Sequence, residues 1–337
     1  MPTLRRRIVT IPVVVLLAAL VLGTLPATLT VAVLVDLFRY LRRKTPFAVT
    51  RLLLFGAVYL LAEVVGLLAL CGAWVGSGFG ASRSRLIAWT YAIQSAWVAT
   101  LFNTVRNLYR VRFEVDDDAL GPAPGGPVLV LMQHTSLVDT LLPTTFLTRR
   151  RGLALRWVLK SELLVDPCLD VAGLRLPNAF VRRDGTDTAQ SLARVAALAR
   201  DLGPRDGVLI YPEGTRFTPS KRRRALDRLA TSQPALLPRA ERLQRVLPPR
   251  LGGPLALMEA APEADLVFFA HHGFEGLATV AAVLSGELVG KTVRLRFWRH
   301  ARAEVPVDRQ ERIAWLWSRW EEVDAWVTDA SQPNNDA

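Results

Sequence analysis

Cysteine is scarce in this sequence of 337 residues, which contains only two, Cys71 and Cys168. Cys71 lies in an apolar segment and Cys168 stands alone, so the sequence predicts neither a disulfide framework nor a metal site. The chain also lacks a Gly-x-Ser-x-Gly motif. It is therefore without the serine nucleophile that this motif presents.

Histidine is almost as rare, with four residues in the chain. His134 is the only one that stands between an apolar, strand-like run (residues 127–131) and a helix-like run. His271, His272 and His300 are expected in loops or at strand ends. His134 is therefore the candidate catalytic histidine.

Acidic residues are nearly absent from the first third of the chain. Residues 1–113 contain 13 Lys and Arg against 2 Asp and Glu, and residues 149–250 contain 21 against 10. Such an excess attracts anionic lipid headgroups, the phosphates of coenzyme A or an acidic carrier protein. No nucleic-acid-binding motif accompanies it, so nucleic acid is not expected as a partner. For the run from Lys221 to Arg224, a solvated loop is the alternative.

Charge is also missing from two long apolar runs. Residues 8–37 contain only Asp36, and residues 52–75 contain only Glu63. Both runs exceed the roughly 18 to 20 apolar residues that a membrane-spanning helix needs. A cleaved signal peptide is the alternative for the first run, but a signal-peptide core has about 7 to 15 residues and a second run follows closely here. The sequence therefore predicts a retained membrane anchor.

The arrangement of the anchor follows from its flanks. Basic residues stand at both ends of residues 8–37, which places both ends on the cytoplasmic side, and Gly23 and Pro26 near the middle favour a broken, re-entrant hairpin. Residues 52–75 would cross outward and residues 86–105 would return. Helices embedded in one leaflet are the alternative. We expect a protein of the cell inner membrane or its equivalent, with its catalytic domain on the cytoplasmic side and the anionic membrane surface as a partner.

Strand-like and helix-like runs alternate in the rest of the chain. The pattern predicts an amphipathic helix over residues 188–202 and strands over residues 128–132, 157–159, 179–181, 208–211, 266–270 and 292–298. This alternation predicts an α/β domain with a mostly parallel or mixed sheet flanked by helices. Residues 309–327 contain four tryptophans and predict a terminal amphipathic helix that packs on the domain or lies at the membrane interface.

His134 and Asp139 form an HxxxxD pair directly after the first of these strands. Transfer of an acyl group from a thioester to an alcohol requires a base that takes the hydroxyl proton as the oxygen attacks. Neutral imidazole can do this at cellular pH, and a carboxylate on its second ring nitrogen fixes the tautomer and stabilises the imidazolium. Such a pair also occurs by chance on solvated turns, but its position after a buried strand favours catalysis. The substrate's own hydroxyl would be the nucleophile.

Four further blocks follow the pair in order: Lys160-Ser161-Glu162-Leu163, Phe180-Val181-Arg182-Arg183-Asp184, Tyr211-Pro212-Glu213-Gly214-Thr215-Arg216 and Leu247-Pro248-Pro249-Arg250. Over residues 115–300 this order resembles the glycerolipid acyltransferase family, whose best-known members are the 1-acylglycerol-3-phosphate O-acyltransferases. The last of these blocks, Leu247-Pro248-Pro249-Arg250, is called the proline block below. Its irregular form resembles the lysocardiolipin-acyltransferase-like branch of the family.

The resemblance implies a glycerol-3-phosphate acyltransferase-like fold, with His134 as general base and Asp139 as its orienting partner. Arginine grips phosphate with two parallel hydrogen bonds, and glycine lets the backbone approach an oxyanion closely. The acceptor would be a lysophospholipid. No bound cofactor is expected, and the co-substrate would be a thioester of coenzyme A or of acyl carrier protein. The implied substrate-binding residues are Lys160, Arg183, Glu213, Gly214, Thr215 and Arg216.

These observations divide the chain into anchor helices (residues 1–113), an acyltransferase catalytic domain (114–305), a C-terminal amphipathic helix (306–330) and a disordered tail (331–337). The predicted function is acylation of a lysophospholipid, foremost 1-acyl-sn-glycerol 3-phosphate, to give phosphatidic acid. The alternatives are acylation of another lysophospholipid, a lipid hydrolase in which the same pair activates water or Ser136, and a non-enzymatic lipid-binding scaffold.

Overall fold

Three long helices precede an α/β domain. The computed structural model describes residues 3–118, 120, 126–181, 189–277 and 279–331, and most of the predicted tail lies outside them. The N-terminal helices are α1 (Thr3–Arg43), α2 (Ala48–Gly76) and α3 (Arg83–Leu108).

A seven-stranded sheet forms the centre of the described α/β domain. Its strands are β1 (Arg112–Asp118), β2 (Val128–Met132), β3 (Ala154–Lys160), β4 (Ala179–Val181), β5 (Asp206–Ile210), β6 (Asp265–His272) and β7 (Thr292–His300). Their spatial order is β1-β7-β6-β2-β5-β3-β4. Strands β6, β2, β5, β3 and β4 are parallel, β7 is antiparallel to β6, and β1 is parallel to β7. The prediction of a mostly parallel or mixed sheet is confirmed.

The apolar pattern predicts six of these strands, two of them with the observed bounds, and misses β1. Strand β1 contains Glu114 and three aspartates, and its apolar residues Phe113 and Val115 pack toward the core. A strand at the edge of a sheet needs one apolar face and one neighbour, so its sequence carries a weak signal. Its pairing with β7 was therefore decided by tertiary contacts.

Helices cover both faces of the sheet. Because successive side chains of a strand point to opposite faces, Leu129 and Leu131 of β2 join one apolar cluster and Val128 and Val130 join another. The first cluster includes residues of α5, α8 and α10, and the second includes residues of α3. The helices of the domain are α4 (Pro167–Arg175), α5 (Ala189–Leu198), α6 (Pro219–Ser232), α7 (Leu237–Arg242), α8 (Gly252–Ala260), α9 (Val280–Leu284) and α10 (Arg309–Ala330).

The predicted re-entrant hairpin is wrong. Helix α1 continues for 41 residues, with Pro12 and Pro26 inside it, and is roughly 60 Å long at about 1.5 Å per residue. A proline removes one backbone hydrogen bond, whereas a turn within an apolar segment leaves several donors and acceptors without partners. A continuous helix is therefore the less costly arrangement.

Helices α1 and α2 are the two described helices that are long and apolar enough to cross a membrane, judged by length and composition. Helix α3 is not among them, so it does not support the predicted return crossing. Its buried face, which includes Phe102 and Val105, packs against the sheet.

Polar contacts fasten α1 and α2 to each other and to α4. The Asp36 carboxylate of α1 is buried and accepts the N–H groups of Val49 (3.2 Å) and Thr50 (2.7 Å) at the start of α2. Asp170 of α4 is also buried, and it accepts hydrogen bonds from Arg6 and Arg7. Helix α1 is therefore held against both α2 and α4.

Helix α10 packs on the domain, which decides between the two predicted positions. Trp317 and Trp320 are fully buried, and the Trp320 Nε1–H donates to the carbonyl of Leu247 at 2.9 Å. Asp324 accepts the backbone N–H groups of residues 244–246. The helix therefore fixes the loop that precedes the proline block.

Replacement of Trp320 tests this support. We expect Trp320→Ala to lower the free energy of unfolding by about 3 to 5 kcal/mol, because it leaves a large cavity in the core. Denaturant unfolding followed by circular dichroism would measure the change. Val307→Ala, at an apolar residue that is 85% exposed, serves as the control. A loss no larger than that of the control would contradict the role of Trp320.

Candidate active site

The candidate catalytic residues lie at the carboxyl ends of three adjacent parallel strands. His134 comes two residues after Met132 of β2, which pairs with Phe269 of β6, so His134 and His271 stand at the same level of the sheet. Tyr211 directly follows β5, the other neighbour of β2. The carboxyl ends of parallel strands meet at one edge, where such sheets form their sites.

His134 and Asp139 form the expected pair. The His134 Nδ1–H donates to Asp139 at 2.9 Å from Oδ1 and 3.2 Å from Oδ2. The five-residue spacing works because the chain turns tightly after β2 into a short 3₁₀ helix, Val138–Leu141, whose first turn contains Asp139. With Nδ1 engaged, Nε2 of His134 is the ring nitrogen left to accept a proton.

The Asp139 carboxylate is completely buried and is surrounded by donors. Oδ2 accepts the N–H groups of Thr135 (2.7 Å) and Ser136 (2.8 Å) and lies 3.3 Å from Nε2 of His271. Burial alone raises the pKa of Asp139, but the charge and hydrogen bond of His134 and the hydrogen bond of His271 together hold it well below its ordinary value. The residue is therefore a carboxylate at neutral pH, as an orienting partner requires.

Glu213 ties His134 to two other segments. Its carboxyl group accepts the backbone N–H of His134 at 2.7 Å and that of Leu247 at 2.9 Å, and the residue is 2% exposed. The carbonyl of His134 in turn accepts the N–H of Phe217 at 2.9 Å. Since both carboxyl oxygens of Glu213 are used in this way, we expect the side chain to position His134 rather than to contact the glycerol phosphate.

Tyr211 supports the imidazole from one side. Its ring centroid lies 4.5 Å from that of His134, and burial raises the pKa of its hydroxyl well above the ordinary value. The hydroxyl oxygen has no hydrogen-bond partner among the described residues. A neutral aromatic ring in this position limits the motion of His134 without adding charge.

The other predicted substrate-binding residues lie along the same edge where they are described. Lys160 is the last residue of β3, next to β5, and Gly214, Thr215 and Arg216 continue the loop after β5. Arg216 is half-buried and its carbonyl accepts a hydrogen bond from Lys221. Arg183 belongs to residues 182–188, which lie outside the described residues.

Two contacts at the site are not anticipated by the motifs. His271, expected only at a strand end, donates to Asp139, and its backbone N–H donates to the Gln133 side chain at 3.1 Å. The signal that could have found His271 is the pairing of β2 with β6, because a histidine two residues beyond Phe269 then faces the turn after Met132. A single sequence gives no strand order, so the contact required the fold.

The motif region and the fold both match known proteins. Residues 106–250 match the family model Acyltransferase. The chain has the fold of the crystal structure of the 1-acyl-sn-glycerophosphate (LPA) acyltransferase PlsC from Thermotoga maritima, with a TM-score of 0.53 and 13% identity. That match covers 84% of this chain and 98% of the other. A comparison with curated proteins gave no match.

Gly214 offers a test of the loop geometry. It has φ +73°, and a Cβ atom there would lie 3.0 Å from Nε of Arg250. Gly290 has φ +75° and open space around a Cβ, so Gly290→Ala is a matched control. Both variants should lose about 1 to 2 kcal/mol of stability through left-handed strain. Only Gly214→Ala should also lower kcat/KM, because it displaces Arg250. Equal kcat/KM values for the two variants would show that the contact is unimportant.

The Glu213 carboxyl group makes stability depend on pH. Burial raises its pKa from 4.5 to about 8, against the opposing effect of the hydrogen bonds from Leu247 and His134. A carboxyl group with a raised pKa contributes its full stability below pH 4.5 and loses it as the pH rises through about 8. The thermal unfolding midpoint of the wild type should therefore fall across this interval.

Glu213→Gln should remove this part of the pH dependence. The variant should also be less stable at every pH, since its amide places a donor against a backbone N–H. Glu241→Gln, at an exposed carboxylate, should leave the wild-type slope unchanged. An identical slope in Glu213→Gln and the wild type would exclude Glu213 as its source.

Proposed function

We propose that this chain, whose residues 106–250 match the Acyltransferase family model, is a glycerolipid acyltransferase that transfers a fatty acyl group from an acyl thioester to the free hydroxyl of a lysophospholipid. The foremost acceptor is 1-acyl-sn-glycerol 3-phosphate, which would give phosphatidic acid. The observation that carries the proposal is the His134–Asp139 pair, joined at 2.9 Å within a buried network of donors. PlsC, whose fold this chain shares, is described as an acyltransferase of 1-acyl-sn-glycerophosphate.

In the proposed mechanism, the acceptor hydroxyl lies against Nε2 of His134. The imidazole takes the hydroxyl proton as the oxygen forms a bond to the thioester carbonyl carbon, and Asp139 stabilises the resulting imidazolium. The carbon–sulfur bond then breaks, and the proton passes from His134 to the departing thiolate. The products are the ester and a free thiol, and no covalent enzyme intermediate is formed.

Ser136 is a poor candidate for a nucleophile, which argues against the hydrolase that would use it. The residue is fully buried, and its Oγ accepts the backbone N–H groups of Val138 (3.1 Å) and Asp139 (3.0 Å). Its hydroxyl therefore holds the turn in which Asp139 stands. The acceptor's own hydroxyl remains the nucleophile that fits the site.

For the acceptor phosphate, we propose the cationic residues along the same sheet edge. Lys160 ends β3 and Arg216 follows Gly214, so both lie on the side of His134 that faces β5 and β3. A guanidinium and an ammonium group there would hold a phosphomonoester with charge-assisted hydrogen bonds. We propose the same role for Arg183, because it belongs to the block Phe180-Val181-Arg182-Arg183-Asp184 that the family resemblance assigns to substrate binding.

Helices α1 and α2 support a membrane location for the enzyme. A lysophospholipid and its product are both amphipathic, so an enzyme seated on the bilayer meets its acceptor where the acceptor is concentrated. The basic flanks of the helices favour the face of the membrane that carries anionic lipids. We propose that the α/β domain lies on the cytoplasmic side, where thioester donors are made.

Acyl transfer by purified protein in detergent tests the proposal. A radiolabelled acyl-CoA would be offered with a panel of lysophospholipids to the wild type, His134→Ala and Asp139→Asn. We expect phosphatidic acid from the wild type and a loss of about 10²- to 10⁴-fold in rate in both variants, because a general base or its orientation is removed. His300→Ala changes the last residue of strand β7, which has no part in the proposed mechanism, and should retain wild-type activity.

Other results would lead to other conclusions. Equal rates in the wild type and His134→Ala would remove His134 from the mechanism. Release of fatty acid without an acceptor would identify a hydrolase. Parallel lines in a two-substrate kinetic analysis, the signature of a covalent intermediate, would contradict direct attack by the acceptor.

A further inference from the structure

A second cationic site adjoins the catalytic loop. Helix α6 and the proline block enclose a cavity of about 400 Å³, within the about 300 to 1,000 Å³ typical of small-molecule sites. Glu213 and Thr215 of the loop after β5 are among its lining residues. The cationic residues of its wall are Lys221, Arg224, Arg228 and Arg250.

Helical periodicity places the basic residues of α6 on different faces of the helix. Thr218 caps α6 through its side chain, and Lys221, Arg224 and Arg228 then recur at intervals of three and four residues, which places them on one face. Arg222 instead donates to the carbonyls of Leu243 and Glu241, and Arg223 is exposed and away from the cavity. Three cations of α6 are thus directed to the cavity.

The electrostatics of this wall favour an anion. Burial, together with the charges of Arg216 and Arg224, lowers the pKa of Lys221. In the part of the chain that the structure describes, Arg224 and Arg228 have no acidic partner. The nearby Glu213 gives little compensation, because its carboxyl group is buried and bonded to backbone N–H groups. Clustered cations repel one another, and an anion bound between them relieves that repulsion.

The proposed reaction also requires a second anion site. The acceptor phosphate is assigned to Lys160 and Arg216, and neither residue lines the cavity. His134 and Asp139 do not line it either. A coenzyme A thioester carries three phosphates at the end remote from its sulfur, so it needs cations at a distance from the reacting carbon. Glu213 lines the cavity and accepts the backbone N–H of His134, so the cavity adjoins the loop that carries His134, although His134 is not among its lining residues.

We propose that this cavity binds the phosphates at the nucleotide end of a coenzyme A thioester, and that Arg224 and Arg228 are its specificity-determining residues. The proposal rests on the proposed function and deepens it, because it selects the acyl donor. Lys221 and Arg250 are the other cationic residues of the lining, and the two consecutive prolines, Pro248 and Pro249, give part of the lining a restricted backbone. The pantetheine arm would run from this wall past the loop after β5 to His134.

Direct binding is the first test. Adenosine 3′,5′-bisphosphate, a phosphorylated fragment of coenzyme A, would be titrated calorimetrically into the full-length protein in detergent. Arg224→Ala and Arg228→Ala should each weaken binding by about ten- to a hundredfold, as expected for loss of a charge-assisted hydrogen bond. Arg223→Ala removes the same charge from an exposed residue of the same helix that does not line the cavity, and it should bind as the wild type does. Helix α6 has no buried residues, so these variants should fold.

Kinetics then separate the donor from the acceptor. In Arg224→Ala and Arg228→Ala, the KM for acyl-CoA should rise, whereas the KM for the lysophospholipid and the rate with a phosphate-free S-acyl pantetheine should not change. A rise in the KM of the acceptor would assign the cavity to the lipid headgroup and overturn the proposal. A defect confined to acyl carrier protein substrates, or equal behaviour of Arg223→Ala and Arg224→Ala, would also overturn it.

The two proposals can fail separately. If no acyl transfer from acyl-CoA is found, the proposed function fails with this donor, but the calorimetric comparison still decides the cavity. Binding of the bisphosphate that depends on Arg224 and Arg228 would then support the site. No binding to the wild type would overturn it.

Discussion

The Asp139 carboxylate has no exposed surface, and a buried charge is tolerated only when donors surround it. Two backbone N–H groups and two imidazoles supply those donors here, and they come from the turn after β2 and from the end of β6. The need of the Asp139 carboxylate for hydrogen-bond donors therefore fixes three features together: the turn after β2, the orientation of His134 and the position of His271. A change in any of these features would leave the buried carboxylate without one of its hydrogen-bond donors.

A second set of contacts connects the C-terminal helix α10 to the backbone of His134. Asp324 of α10 holds residues 244–246, Leu247 donates to Glu213, and Glu213 accepts the N–H of His134. Each link is a buried acceptor matched to backbone donors, and such groups are costly to leave unpaired. The C-terminal helix thus supports the backbone of His134 through the proline block, although the two are far apart in sequence. The same block forms one wall of the cationic cavity.

Much of the fold and the His134–Asp139 pair could be predicted from the local pattern of the sequence. The bounds of β2 and β4, the start of α10 and the HxxxxD pair depend on apolar periodicity and short spacing, which a single sequence displays directly. Strand β1 and the continuity of α1 could not be predicted in this way. The first depends on an edge pairing with a strand 180 residues later, and the second on the cost of unpaired backbone groups in an apolar segment.

The sequence by itself determined the alternation of strands and helices, the two long apolar segments and the residue types at the site, because each is a local property of neighbouring residues. Only the tertiary structure decided which residues meet. It brought His271 to Asp139, turned Glu213 toward the backbone of His134, and separated the run from Lys221 to Arg224 into residues that line a cavity and residues that do not. Strand order and helix orientation set these contacts, and both are fixed by packing between segments that are distant in the chain.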